Sequence, residues 1–107
     1  MYNEYSNEDS YYFDVVWAND RGLYEAIKSH TRAMRPHWEV MNNQTLGRNL
    51  KDAIRAMVSD GGWGWRSCPD EFVAVRSEAI RLLEGINLDL VNEEEFGANI
   101  RVAMGLD

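Results

Sequence analysis

The chain has one cysteine, two prolines and two histidines among its 107 residues. A lone thiol, Cys68, forms no internal disulfide and supplies no cysteine-rich zinc site. His30 and His37 stand on either side of Pro36, without the i, i+4 spacing that sets two imidazoles on one helical face around a metal. No apolar run approaches the roughly 20 residues of a membrane span. The opening MYNEYSNEDS is acidic and polar, opposite to the basic start and apolar centre of a secretory signal, so a cytoplasmic location is expected. Phosphate loops, dinucleotide fingerprints, nucleophile elbows and paired metal carboxylates are also missing. These absences leave no catalytic residue, cofactor or metal to expect.

What is present is a soluble, acidic composition: 45% hydrophobic residues, 27% charged, and a net charge of −7. The charge is unevenly placed. Residues 1–20 hold five acids and no base, residues 21–60 seven bases and four acids, and residues 61–107 nine acids and four bases. Such a chain repels a phosphate backbone unless Arg21, Lys28, Arg32, Arg35, Arg48, Lys51 and Arg55 gather on one face, so nucleic acid is an unfavoured partner. Acidic surfaces favour basic proteins instead, including those whose own channels bind nucleic acid.

Apolar periodicity predicts a single compact all-α domain of about five helices over residues 1–107. One helix starts with Thr45 as N-cap and buries Leu46, Leu50, Ala53, Ile54, Met57 and Val58, leaving Arg48, Asn49, Lys51, Asp52 and Arg55 outside. Another follows a Ser67 or Cys68 cap, with Pro69 at its first position and Asp70 and Glu71 complementing the helix dipole. It buries Phe72, Val75, Ala79, Leu82, Leu83 and Ile86 and stops at Gly85. A third runs from about Asp20 to Met34, with Leu23, Ile27, His30 and Met34 inward, and ends before Pro36. The last opens with Asn92 as cap and Glu95 completing a capping box, and buries Phe96, Ile100, Ala103 and Met104. Its acids Glu93, Glu94 and Glu95 then need no partner beyond the dipole.

Residues 11–17 are harder to read. Tyr11, Phe13, Val15 and Trp17 alternate as in a strand, yet Tyr12 and Val16 are apolar too, and Phe13 with Trp17 fits a helix. With no second strand to satisfy its backbone, the segment is assigned to a helix.

The stretch VWANDRGLYEAI, preceded by EDSYY, resembles the start of a group of small accessory proteins carried by phages and other mobile elements. Their pattern is N-Y-E-T-W, a short apolar run, L-W, an Asn/Asp pair, then G-L-Y opening a helix. Val16 and Trp17 stand at L-W, Asn19 and Asp20 at the pair, and Gly22, Leu23 and Tyr24 at G-L-Y, while Tyr12 takes the place of the first tryptophan. The resemblance covers about a quarter of the chain. It implies an accessory phage product, and by analogy of class an inhibitor of a host defence complex, such as a restriction nuclease or CRISPR effector, acting in the host cytoplasm.

Few residues compete for a site. His30 on an apolar stripe reads as a core histidine, and His37 as a surface one. Cys68 at a helix start near Arg66 has a reactive thiol's surroundings, but Asp70 and Glu71 oppose a thiolate. The segment DGGWGWRSCP carries more promise, because tryptophan and arginine dominate interface hot spots. Trp63 and Trp65, separated only by Gly64, belong to no amphipathic stripe and point to opposite sides of an extended strip. One is expected to anchor the loop, the other to face a partner with Arg66, Asp70 and Glu71. Two rivals remain: a helical nucleic-acid-binding regulator using Arg48, Lys51 and Arg55, and an enzyme using Cys68.

Overall fold

A computed structural model describes residues 5–33, 40–58 and 70–105. The first helix, α1 (Glu8–Asn19), starts where Asn7 accepts the Ser10 amide at 2.8 Å, with Glu8 and Asp9 in its first turn. Residues 11–17 are therefore helical. Their strand-like alternation arises because α1 is apolar on two sides, with Phe13 and Trp17 buried and Tyr12 and Val15 exposed. Asp20 is extended and ends α1. Its carboxylate then accepts the Leu23 amide at 2.8 Å and so caps α2 (Arg21–Ala33), a one-residue joint between two helices.

In α2, Leu23, Ala26, Ile27 and Thr31 are buried; the Thr31 hydroxyl donates to the Ile27 carbonyl at 2.7 Å. His30 is half-buried, its ring centroid 5.2 Å from that of Phe72, and Met34 lies outside the described residues.

Helix α3 (Asn43–Val58) buries Leu46, Gly47, Leu50, Ile54 and Met57. Its cap is Asn42, which accepts the amide of Thr45 at 2.8 Å, so Thr45 lies inside the first turn and does not cap it. Lys51 also departs from expectation. It is buried, 5% exposed, because its ammonium reaches the Val91 carbonyl at 3.3 Å and Glu93 at 3.1 Å.

The expected helix from Pro69 to Gly85 is two: α4 (Asp70–Val73) and α5 (Arg76–Leu82). At the break Val75 leaves helical geometry (φ −108°, ψ 2°), and its amide donates to the Phe72 carbonyl at 3.2 Å. The break redirects the chain: α4 packs on α2, α5 on α3, and the Arg76 guanidinium bonds the Met57 carbonyl at 2.8 Å. Gly85 stops this segment with φ +87°. The Ser67, Cys68 and Pro69 start signals lie outside the described residues.

A 3₁₀ turn at Leu88–Leu90 leads to α6 (Glu93–Met104), closed by left-handed Gly105. Asn92 caps α6 as expected, accepting the Glu95 amide at 3.0 Å, while Ala103 is exposed and not part of the buried edge. Helices α3 and α6 form the most extensive pair of the fold, meeting where Gly47 and Gly97 let backbone touch backbone. Aromatic rings tie α1 to α6 and to α2: Phe13 meets Phe96 edge-on at 4.9 Å, and Trp17, 2% exposed, stacks on Tyr24 at 6.0 Å. The fold is all-α. Among the described residues there is no strand, and no helix long and apolar enough to cross a membrane.

Candidate protein-interaction surface

The two acidic ends of the sequence meet in space. Ser6 and Asn7 lie against the start of α6: the Asn7 side chain donates to the Leu90 carbonyl at 2.8 Å, and Asn92 donates to the Ser6 hydroxyl at 3.1 Å. The Asn92 amide is received by Ser10 Oγ at 2.8 Å, and the Asn87 amide by Asp9 at 2.9 Å. Glu95 accepts the Ser6 amide, at 3.1 and 3.0 Å to its two oxygens, and the Ser6 hydroxyl as well. This corrects the capping box. Asn92 caps, but Glu95 turns outward to the N-terminal segment because Ser10 already satisfies the Asn92 amide.

The resulting surface joins Glu8, Asp9 and Asp14 of α1 to Asp89, Glu94 and Glu95, with Leu90 exposed at 53% among them. Asp9, Asp14 and Glu95 are fixed by neutral donors: the Asn87 amide, the Tyr5 hydroxyl with Asn99, and Ser6. None of the three faces a base among the described residues, so hydrogen bonds fix their positions without cancelling their charge. Asp14 lies deepest. Burial pushes its carboxyl above the ordinary carboxylate value, against the hydrogen bonds from Tyr5 and Asn99 that favour the ion. Burial, reinforced by the Asp14 charge, likewise raises the Tyr5 phenol. A cavity of about 10 Å³ beside them has room for one water.

Glu93 behaves differently from its neighbours. Burial disfavours its charge, but Lys51 at 3.1 Å and Arg48 at 3.3 Å outweigh that and hold its carboxyl below the ordinary glutamate value. Arg55 meets Asp89 at 2.6 Å. The expectation that Glu93, Glu94 and Glu95 need no partners therefore fails for Glu93 and Glu95. An open polar groove of about 390 Å³ runs between Gln44, Lys51, Asp89 and Glu94.

The same pairs bear on the basic middle of the chain. Arg48, Lys51 and Arg55 do line one side of α3, but each is engaged by an acid of the C-terminal third. Trp63, Trp65 and Arg66 lie outside the described residues, as do His37 and Cys68; Asp70 and Glu71 open α4, and their side chains are not among those described. No group of three His, Cys, Asp or Glu residues suited to a metal occurs among the described residues. The cluster of Tyr5, Asp14 and Asn99 escaped sequence reasoning because its members are far apart in the chain. Its one local trace is Ser10 and Asp14, polar residues one turn apart beside the buried stripe of α1.

Comparison with protein-family models, curated proteins and solved structures gave no match.

Proposed function

We propose that this chain is a non-enzymatic accessory protein of a phage or mobile element. It inhibits a host defence complex by covering that complex's basic, nucleic-acid-binding surface. The observation that carries the reading is the meeting of the two acidic ends, with Asp9, Asp14 and Glu95 held by neutral donors. A one-sided mimic of a phosphate backbone needs such carboxylates, fixed in place and not neutralised. The resemblance around Val16, Trp17 and Gly22–Tyr24 supplies the phage setting. The regulator reading loses ground, because its bases Arg48, Lys51 and Arg55 are committed to acids of the same chain.

The test is an immunity assay. Expression of the chain should raise phage plating or plasmid transformation in a host with a matching restriction or CRISPR system, and affinity for the captured complex should fall steeply with salt. Unchanged plating across such hosts would sink the reading. Retention of the chain on DNA at physiological salt would favour the regulator, and an effect lost in Cys68→Ser would favour an enzyme.

A further inference from the structure

The outward side of α1 is a second apolar stripe. Tyr12 is 47% and Val15 38% exposed, with Ala18 exposed beyond them, and Glu8 and Asn19 close the two ends at heptad-like spacing. The aromatic part is ordered before any partner arrives: Tyr11 meets Tyr12 edge-on at 5.2 Å and Tyr5 at 5.7 Å. Helical geometry puts Asp9 and Asp14 on opposite flanks of the stripe. Residues 1–20 contain no base to balance them.

We propose that this stripe receives an amphipathic helix of a basic protein, with an apolar seam against Tyr12 and Val15 and Lys or Arg on both edges. Charge selects this occupant over a second copy of the chain, since pairing α1 with itself sets Glu8, Asp9 and Asp14 of two copies side by side. Rigid tyrosines lose little side-chain entropy on binding, and an apolar seam between charged edges is the form in which a helix docks on a helix. The inference rests on the reading of the chain as a binder of basic proteins, and names the segment gripped.

The probe is a fluorescent helical peptide with a leucine and alanine seam flanked by lysines, titrated by anisotropy against the whole chain at low salt. A twin peptide with glutamates in place of lysines serves as the comparison. The lysine peptide should bind, the glutamate peptide should not, and Tyr12→Ser with Val15→Ser should weaken binding at least tenfold while far-UV circular dichroism stays unchanged. Val102→Ser, a still more exposed apolar position at the far end of α6, should leave binding intact. Equal binding by the double variant, by the glutamate peptide, or an equal loss in Val102→Ser would overturn the proposal. So would a dimer of the chain, seen by sedimentation, that Tyr12→Ser abolishes. Immunity assays read the inhibitor function separately: a chain that binds the peptide but protects no phage retains the stripe and loses the function.

Discussion

Gly47 of α3 and Gly97 of α6 meet backbone to backbone. A β-carbon on Gly47 would lie 2.9 Å from the Gly97 amide nitrogen and 1.8 Å from the Glu93 carbonyl oxygen; one on Gly97 would lie 1.9 Å from the Asn43 carbonyl oxygen. In an exposed helix, glycine to alanine stabilises by about 1 kcal/mol. Here the sign reverses, because the added methyl meets main chain that no rotamer change can move aside. Gly47→Ala and Gly97→Ala should each cost about 3 kcal/mol or more, the upper end of overpacking penalties. Urea unfolding measures this, and a neutral result would mean the two helices separate without loss.

This crossing also marks the boundary of what the sequence makes legible. Caps and stops are local, so the Asn92 cap and the Gly85 stop can be read from a few neighbouring residues. The misplaced cap of α3 is a local ambiguity: Asn42 and Thr45 are both good caps, and the helix takes the earlier one. Lys51 and the break at Val75 are tertiary. Lysine is inward only because Glu93 and the Val91 carbonyl lie across from it, and the break exists because α4 and α5 pack on different helices. The acidic surface could be anticipated in composition, from two acidic ends, but not in geometry, since Ser6 and Glu95 stand 89 residues apart.

The pair between Lys51 and Glu93 should couple strongly. Lys51→Met leaves a buried methylene chain in place but removes the ammonium, so Glu93 keeps only the more exposed Arg48. The expected cost is about 1–3 kcal/mol, below the usual figure for breaking a buried pair because the Glu93 side chain is 21% exposed. Adding Glu93→Gln should recover part of the loss, as a double-mutant cycle would read.

The pH dependence carries a sign. Because the folded-state value of Glu93 is lowered, its contribution is present above the ordinary glutamate value of 4.5 and is lost as pH falls through the lowered value. In Lys51→Met this acid-side loss should shrink. Asp14 acts in the opposite direction. Its value is raised by burial, so its favourable contribution is full below the ordinary 3.8 and is lost as pH rises through the raised value. Asp14→Asn retains an acceptor for Tyr5 and removes the charge. The variant should be more stable than the parent at neutral pH, with the gap closing toward acid; denaturant midpoints measured across pH would show a constant gap if the carboxyl were unperturbed.

Asn92 performs two separable tasks, and two substitutions can divide them. Its Oδ1 caps α6 by accepting the Glu95 amide at 3.0 Å, and its Nδ2 donates at 3.1 Å to the Ser6 hydroxyl, which itself bonds Glu95. Asn92→Ala removes both, and should cost about 1–2 kcal/mol, the usual range for a lost cap. Asn92→Ser restores the cap, since serine accepts an N-terminal amide equally well, but its hydroxyl is too short to reach Ser6. Global stability of the serine variant should therefore return to within about 0.5 kcal/mol of the parent. The Ser6 amide, held only by Glu95, should nevertheless exchange its hydrogen faster in both variants than in the parent. Parent-like exchange at Ser6 in Asn92→Ser would mean that Glu95 holds Ser6 without Asn92, and that the acidic surface needs no help from the Asn92 side-chain amide to keep its shape.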